Sequence, residues 1–481
     1  MWFPYSHACY NLQMKNDSPW LHQLQLTRQS DTLKDDIKAD VVIVGAGIAG
    51  IMTAYFTLKK TDRKVTVVEG YKVAHGSTGH NAGQIVSEFE REFYDIAEEY
   101  GLEQAADAER LMRSGWILLE EIYVDASLHT PMSSFMGYSG FANMSRVLEE
   151  LRNNTLRAEV GIATEPIYVA EDAPGLSDIP HVYKNFYTIV PRENITALME
   201  SLDDQYIAAV PGRIGCLNSA LLVEELVGYL LNKYADRFTL LEHTPVRHID
   251  LFGSEAILHA HDHAIFAKRV ILCTNGFQKF TIDNKAGQDI DTEFHHTVQG
   301  AVAYMAGYLE PLDKPPTALS YFDAELGKAG HAKDVYHEEP YFYVTRRPYE
   351  HEKDEHHNLV CIGGPEVLIS DTTQYVPDSV SPEDAIKKID KFYHQTHKHA
   401  AHKPDEYKFK WHGLLCYTPN GIRLIGPEPQ NPVLMYNLGC NGVGILPSIY
   451  GGKRIADILS GVILPPSIFD PKDQRLSDLA E

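Results

Sequence analysis

Three glycines with a fixed spacing form the part of the sequence best suited to chemistry. Gly45, Gly47 and Gly50 follow the apolar run 41–44 and precede a helical pattern. A glycine turn of this kind lets backbone N–H groups approach a phosphate, and the helix N-terminus adds a partial positive charge. The pattern therefore predicts a site for the pyrophosphate of a dinucleotide.

A carboxylate at the end of the next apolar run supports this interpretation. Glu69 follows the run 64–68 and lies 24 residues after Gly45. An acid at about this spacing accepts hydrogen bonds from ribose hydroxyls and repels a 2′-phosphate, which disfavours NADP. Strand, glycine turn, helix, strand and acid together indicate a dinucleotide-binding unit. The alternative is an ordinary α/β unit with a glycine-rich turn.

Two further loops contain the small residues that a cofactor needs. The loop 76–84 holds Ser77, Thr78 and Asn81, whose polar groups and neighbouring N–H groups could surround a phosphate or a flat ring. A plain turn is the other interpretation. The loop 439–444 is rich in glycine and precedes a helical pattern that begins near Leu446.

Histidines are numerous, but their spacing does not indicate a metal site. His259, His261 and His263 alternate, and His394, His397, His399 and His402 form a second group. No cysteine or carboxylate joins either group at a recognised ligand spacing. We therefore expect no metal.

Composition excludes several classes of function. The 43 basic and 66 acidic side chains give a formal charge of −23, which disfavours binding to nucleic acid or to an anionic membrane surface. The six cysteines include no Cys-x-x-Cys pair, which favours reduced thiols. We find no signal-like start and no apolar run of the roughly 18 residues that span a bilayer, so we expect no membrane span and a cytoplasmic location.

Periodicity places these motifs on an α/β framework. Helical patterns cover 88–125, 143–152, 220–230, 382–394 and 446–459, and strand patterns cover 238–241, 245–250, 255–260 and 433–438. Residues 281–404 hold long strand candidates and many tyrosines, which predicts an inserted, mainly antiparallel sheet. We predict a lead-in 1–38, a discontinuous dinucleotide-binding domain from 39–90, 211–280 and 405–465, a substrate domain from 91–210 and 281–404, and a polar tail 466–481.

Four blocks in this order resemble the D-amino-acid oxidase-like superfamily of FAD-dependent oxidoreductases. They are 41–50 with Glu69, the loop 76–84, the strand 267–276, and the segment 411–452 with its Trp-x-Gly, Thr-Pro and Gly-x-x-Gly-x-Gly motifs. The pattern is most similar to the glycine/sarcosine oxidase and gamma-glutamylputrescine oxidase-like members. The resemblance implies a Rossmann-like FAD-binding domain of the GR2 type with an inserted substrate domain.

The resemblance also implies extended FAD between the two terminal glycine turns. Val246 would hold the adenine through its backbone, and the helix N-terminus near Leu446 would stabilise negative charge on the reduced flavin. The implied cofactor residues are Gly45, Ala46, Gly47, Ile48, Ala49, Gly50, Glu69, Gly70, Ser77, Thr78, Asn81, Ala82, Gly83, Gln84, Val246, Thr274, Asn275, Gly276, Gly413, Asn441, Gly442, Val443, Gly444, Ile445 and Leu446.

The candidate substrate residues lie in the tyrosine-rich insert. In a strand over 341–348, Tyr341, Tyr343 and Thr345 share one face, and Arg346 points the other way unless the strand ends there. Arg346 could bind a substrate carboxylate through two parallel hydrogen bonds, or it could lie on the surface. Tyr343 could form a pocket wall or belong to the core. His296, or its neighbour His295, could face the flavin.

The resemblance implies oxidation of a CH–NH bond of an amine or amino acid by hydride transfer to the flavin, which gives an imine. Oxygen or a separate acceptor would take the electrons. Two alternatives remain: a dehydrogenase of a 2-hydroxy acid or polyol, and a non-catalytic flavin-binding redox sensor. His80 and Asn420 stand where many relatives carry arginine and aspartate, which leaves the substrate open. Cys416 near the Thr-Pro turn could attach FAD covalently or be a packed thiol.

Overall fold

Ten helices and nineteen strands cover the parts of the chain described by a computed structural model, which are 16–24, 28–202, 204–322, 341–352, 355–400 and 403–472. The helices are α1 Pro19–His22, α2 Ile48–Lys60, α3 Phe93–Tyr100, α4 Leu102–Ala126, α5 Met144–Glu159, α6 Arg192–Leu198, α7 Ser219–Lys233, α8 Asp291–Thr297, α9 Glu383–Thr396 and α10 Ile445–Leu459.

The strands form two sheets. They are β1 Ile37–Val44, β2 Val65–Val68, β3 Gln84–Ile85, β4 Met132–Phe141, β5 Ile167–Ala170, β6 Tyr187–Val190, β7 Ala208–Leu217, β8 Phe238–Leu241, β9 Val246–Leu251, β10 Ala256–Ala260, β11 His263–Leu272, β12 Thr281–Asn284, β13 Gln299–Glu310, β14 Thr317–Phe322, β15 Tyr341–Glu350, β16 His356–Ile369, β17 Phe409–Tyr417, β18 Leu424–Pro427 and β19 Leu434–Leu438.

The first sheet, which we call the nucleotide sheet, has a parallel centre. β1 lies between β2 and β11, and β8 and β19 extend the sheet with parallel pairing on the two sides. From β11, the antiparallel strands β10 and β9 and then the short β12 continue the sheet on the same side of β1 as β19. β1 is fully buried over 41–44, as expected for a parallel strand covered on both faces. The predicted Rossmann-like architecture is confirmed.

The second sheet, which we call the substrate sheet, has ten strands in the order β17-β13-β16-β15-β14-β4-β7-β5-β6, with β3 paired to β7. Its pairs are mainly antiparallel, with parallel pairing between β14 and β4 and between β5 and β6. The predicted antiparallel sheet is therefore also confirmed, although it draws strands from outside the 281–404 insert.

Local sequence signals explain several element boundaries. Asn218 accepts hydrogen bonds from the N–H groups of Ala220 and Leu221 and so caps α7 as predicted. The predicted helix 88–125 is broken into α3 and α4 because Gly101 adopts φ +90°. His295 and His296 lie in α8, directly before β13.

The predicted domain boundaries stay a prediction, and two packing arrangements bear on them. Helices α3 and α4, which the prediction assigns to the substrate domain, bury their apolar side in the core shared with α2 and α10. Conversely, β17 lies in a predicted nucleotide segment but pairs with β13 of the substrate sheet. Parts of the lead-in 1–38 and of the tail 466–481 lie outside the described residues.

Candidate active site

One cavity of about 1090 Å³ lies between the two sheets and is lined by residues of both. This volume is at the upper end of the roughly 300–1,000 Å³ usual for small-molecule sites, so it can hold a dinucleotide together with a substrate. The amino-terminal and carboxy-terminal glycine turns both reach it, through Gly45 and Gly47 and through Gly442 and Gly444.

The amino-terminal turn has the geometry that its glycines predict. Gly45 adopts φ +102°, and a Cβ at Gly50 would overlap the carbonyl oxygen of Gly45. A Cβ at Gly47 would lie 2.9 Å from the Thr78 hydroxyl, and no side chain caps α2 at this residue. The backbone of this turn is therefore open to the cavity, while the Ile48 N–H donates to Thr78 Oγ1 at 2.9 Å.

Glu69 lines the cavity beside this turn. Its carboxylate accepts hydrogen bonds from the N–H groups of Ala46 and Tyr71, both at 2.9 Å. Burial raises the pKa of Glu69, and these backbone hydrogen bonds act against that rise. The carboxylate is therefore fixed in orientation at the edge of the nucleotide site.

Hydrogen bonds fix the middle loop 76–84 between the sheets. Asn81 Oδ1 accepts from the Gly83 N–H at 2.8 Å, and Asn81 Nδ2 donates to the Ser219 hydroxyl at 2.8 Å. Ser77 donates to the Leu414 carbonyl at 2.6 Å and accepts from Asn275 Nδ2 at 2.8 Å. The loop is therefore a rigid wall of the cavity.

The carboxy-terminal turn brings a second helix N-terminus to the same cavity. Gly444 precedes α10 and makes no side-chain cap hydrogen bond. Asn441 adopts φ +44°, and its Oδ1 accepts from the Thr418 N–H at 2.8 Å, which fixes the turn. The α10 dipole can therefore stabilise negative charge in the cavity.

Most of the predicted cofactor residues line this cavity. They are Gly45, Gly47, Ile48, Ala49, Glu69, Gly70, Ser77, Thr78, Asn81, Ala82, Gly83, Gln84, Val246, Thr274, Asn275, Gly442, Val443, Gly444 and Ile445. The remaining predicted residues lie behind this lining: Ala46, Gly50, Gly276, Gly413, Asn441 and Leu446. Several support it by close packing: a Cβ at Gly413 would overlap the His80 carbonyl, and Leu446 lies against Gly115.

The other end of the cavity, which we call the chamber, is lined by β4, β7, β13, β14, β15 and β16 of the substrate sheet. Tyr343 belongs to this lining, and its ring lies over Gly363 on β16. Burial raises the pKa of Tyr343, and Glu366 raises it further, so the phenol stays protonated and can act as a hydrogen-bond donor.

Several carboxylates line the chamber, among them Glu88, Glu90 and Glu366. Glu88 lies beside Gly212, Glu90 lies beside Gly442, and Glu366 accepts from the Tyr417 hydroxyl at 3.0 Å. Among the described residues Glu88 has no hydrogen-bond or ion-pair partner within 4 Å. Glu88 is accessible to solvent from the open cavity, yet desolvation by the surrounding protein raises the pKa of its carboxyl more than the Arg157 guanidinium lowers it.

The arginines that line the chamber are already paired with carboxylates. Arg91 binds Asp95 and Glu99, Arg113 binds Glu109, Arg146 binds Glu92 and Glu149, and Arg157 binds Glu109 and Glu150. Arg213 stacks on the Trp116 ring at 4.2 Å and binds Glu120 at 3.1 Å. The charges of these arginines are therefore offset by carboxylates within the protein.

Arg346 lies away from the cavity, which corrects its predicted role. It is 3% exposed and donates from Nη1 and Nη2 to the two carboxylate oxygens of Glu200 at 3.0 and 2.7 Å. The strand alternation explains this placement, because Arg346 shares its face with Val344, which packs in the core on the far side of the substrate sheet. Its two parallel hydrogen bonds are already used within the protein.

His296 is also misplaced by the prediction, because it is an exposed residue of α8 outside the cavity lining. Its neighbour His295 meets Gln278 Oε1 at 2.9 Å. The other predicted histidine groups pair with carboxylates: His259 with Asp250, and His397 and His399 with Glu200. His402 lies outside the described residues. The absence of a metal stays a prediction.

A comparison with known protein families identifies the family to which this chain belongs. Residues 40–458 match the family described as DAO, FAD dependent oxidoreductase. The chain belongs to this family. FAD is therefore its cofactor, and the resemblance inferred from the four sequence blocks is confirmed.

Individual relatives of this DAO-family chain are distant. It is 32% identical to the gamma-glutamylputrescine oxidoreductase of Escherichia coli (strain K12) over 91 residues, which are 19% of this chain and 21% of that relative. The match thus spans about a fifth of that curated relative. Glycine oxidase from Geobacillus kaustophilus has a similar fold, with a TM-score of 0.64, 15% identity, and coverage of 91% of this chain and 100% of that one. L-proline dehydrogenase from P. horikoshii follows at 0.63 and 15%, with coverage of 90% and 97%.

The residues of this DAO-family cavity fit FAD. The N-termini of α2 and α10, which begin after glycines and so have no N-cap side chain, both face the cavity, where they suit the pyrophosphate and the reduced ring, respectively. Cys416 is fully buried outside the lining, and burial raises its pKa well above the ordinary value, which favours a packed thiol. No helix in the described parts of the chain is both long and apolar enough to cross a bilayer.

Sequence reasoning missed the chamber acids and two residues behind the middle loop, Trp20 and Arg347. Glu88 and Glu90 alternate directly after the loop 76–84, which is a usable signal because alternate residues of an extended segment share a face. Glu366 had no such signal, since its position depends on the pairing of β13 with β16. The importance of Trp20 and Arg347 likewise depends on contacts between distant segments.

Proposed function

We propose that this FAD-dependent oxidoreductase oxidises the C–H bond beside the nitrogen of a cationic amine. The observation that carries the proposal is the charge of the chamber: Glu88, Glu90 and Glu366 face it, while its arginines are bound to carboxylates. An ammonium group is attracted to this lining, and a substrate carboxylate beside the reacting carbon is repelled.

The residues of the chamber have separate roles in this proposal. Glu88, whose pKa is raised by desolvation, accepts the ammonium proton and so frees the nitrogen lone pair. Tyr343 donates a hydrogen bond that orients the substrate. Bound FAD supplies the hydride acceptor. The substrate thus loses one proton and one hydride and leaves as an iminium ion, which water hydrolyses to a carbonyl compound and an ammonium ion or a protonated amine.

We also propose where the nucleotide part of FAD binds. The pyrophosphate is assigned to Gly45, Gly47 and the α2 N-terminus, and the adenosine ribose to Glu69. These groups line one continuous end of the cavity, opposite the chamber acids. The middle loop and the turn 442–445 lie between the two ends and would hold the flavin ring.

The test is an anaerobic titration that follows bleaching of the flavin band. We expect 1,4-diaminobutane to reduce the flavin at concentrations at least about tenfold lower than 4-aminobutanoate or sarcosine. Glu88→Gln should remove most of this preference, because it removes the charge and keeps the shape.

The matched control is Glu171→Gln, which makes the same change at an exposed residue outside the cavity lining and should leave the preference intact. Preferential bleaching by amino acids, unchanged in Glu88→Gln, would contradict the proposal. Bleaching by hydroxy acids alone would favour the alternative dehydrogenase.

A further inference from the structure

The segment Asn16–Gln23 is bound tightly to the middle loop of the cavity. Ser18 donates to the Gly79 carbonyl, and Trp20 Nε1 donates to the Asn81 carbonyl at 2.5 Å. The Tyr349 hydroxyl of β15 donates to the Pro19 carbonyl at 2.9 Å. This segment therefore connects the loop to the substrate sheet and holds the Trp20 ring behind the loop.

Arg347 lies against this ring. Its guanidinium carbon is 4.6 Å from the centre of the Trp20 ring, and the side chain is 5% exposed. Among the described residues, Nη1 is fully buried without a hydrogen-bond acceptor. Burial lowers the pKa of Arg347, but a guanidinium in a protein keeps its proton.

The groups around Arg347 do not neutralise its charge. After burial, the groups with the largest effects on the pKa of Arg347 are Cys216, Cys361, Tyr349 and Tyr123. Burial raises the pKa of Cys216 to about 11 and of Cys361 to about 12, so both thiols are neutral near pH 7. Burial also raises the pKa values of Tyr349 and Tyr123. An uncompensated buried cation is costly, which calls for a compensating anion nearby.

The guanidinium faces the wall on which the flavin ring is proposed to lie. Gly83 adopts φ +69°, and the point where its Cβ would stand is 2.9 Å from both Arg347 Nη1 and the Trp20 ring. Gly83 also lines the cavity, together with Asn81 and Ala82. Only the backbone of this loop therefore separates the positive charge from the cavity.

We propose that Arg347, held by Trp20 behind the loop Asn81–Gly83, is a positioning residue whose charge stabilises the anionic reduced flavin. A fixed positive charge behind the ring favours the reduced form over the neutral oxidised form through the low-dielectric wall. Arg347 thereby raises the reduction potential of the flavin without touching it. The inference rests on the proposed position of the ring against this loop.

The test measures the midpoint potential of the purified holoenzyme in the absence of substrate. Arg347→Met and Arg347→Gln should each lower the equilibrium constant for two-electron reduction about tenfold, which corresponds to about 30 mV. Arg347→Lys keeps the charge and should remain within about twofold of the natural protein. Two neutral variants are used because one of them could fail to fold.

Arg192→Gln is the matched control, since it makes the same charge change on α6 outside the cavity lining and should leave the potential unchanged. Potentials unchanged in both neutral variants would overturn the inference. A fall in Arg347→Lys equal to that in the neutral variants would overturn it as well, because charge would then not be the cause. The substrate plays no part in these measurements. Their result can therefore be interpreted even if the cationic-amine proposal is wrong.

Discussion

The two ends of the cavity are built from different kinds of chemical group. At the nucleotide end, backbone N–H groups, glycine turns and the N-terminus of α2 form the surface. At the chamber end, side chains of six strands and of the segment 86–93 supply the functional groups. The first end suits one fixed ligand. At the second end, substitution of a few side chains can change which substrate binds without altering the fold.

The carboxylates of the two ends also differ. Near the nucleotide end, Arg28 donates from Nη1 and Nη2 to Glu242 at 2.7 and 2.6 Å, and these hydrogen bonds lower the pKa of Glu242 to about 2 despite its burial. In the chamber, desolvation raises the pKa of Glu88. Paired carboxylates stabilise the fold, whereas an unpaired one is available for proton transfer.

We expect the largest effect from a substitution that disrupts the nucleotide end of the cavity. Gly50→Ala places a Cβ on the Gly45 carbonyl oxygen, so β1 and α2 must separate. We expect a loss of at least about 3 kcal/mol in the free energy of unfolding, together with loss of bound FAD. Urea denaturation and flavin absorbance measure the two effects.

Gly228→Ala is the control, because a Cβ at this position in α7 meets no atom within 4 Å. It should stabilise the protein by about 0.5–1 kcal/mol and keep the flavin. Yellow, fully stable Gly50→Ala protein would show that the turn does not need close packing.

The second prediction separates the chamber from the far face of the substrate sheet. Arg346→Met leaves the Glu200 carboxylate without its guanidinium, so we expect a loss of roughly 3 kcal/mol in the free energy of unfolding. The preference between amines with and without a carboxylate should change by less than about twofold.

Glu200→Gln added to Arg346→Met should recover part of the stability, because it removes the unpaired buried charge. Steady-state kinetics on both kinds of amine, with urea denaturation alongside, test these points. A selective loss of turnover of carboxylate-bearing amines, at normal stability, would contradict this prediction and show that Arg346 contacts the substrate.

The smallest effect concerns the paired carboxylate near the nucleotide end. The folded-state pKa of Glu242 is about 2, below its ordinary value of 4.5, so its stabilisation is present above about pH 4.5 and is lost as the pH falls toward 2. Glu242→Gln should therefore lower the free energy of unfolding by about 2 kcal/mol at pH 7 and by much less at pH 3.

Denaturant titrations between pH 7 and pH 3 measure this difference, with the exposed Glu255→Gln as the control. A Glu242→Gln deficit that does not shrink at low pH would mean that the ion pair with Arg28 is not its source.

The sequence by itself determined the nucleotide end and the class of fold. Its glycines, Glu69 and the α7 cap at Asn218 act over short stretches, and backbone geometry ties each residue type to one local conformation. The four blocks then identified the family, and with it FAD.

Only the tertiary structure decided the chamber. The alternation over 341–348 predicted that neighbouring arginines face opposite ways, but it could not tell which face meets the cavity. That choice depends on how β15 pairs with β14 and β16, which places Arg346 against Glu200 and Arg347 behind Gly83. Burial, pairing and the pKa of each charged group follow from such contacts between distant segments, and no local pattern records them.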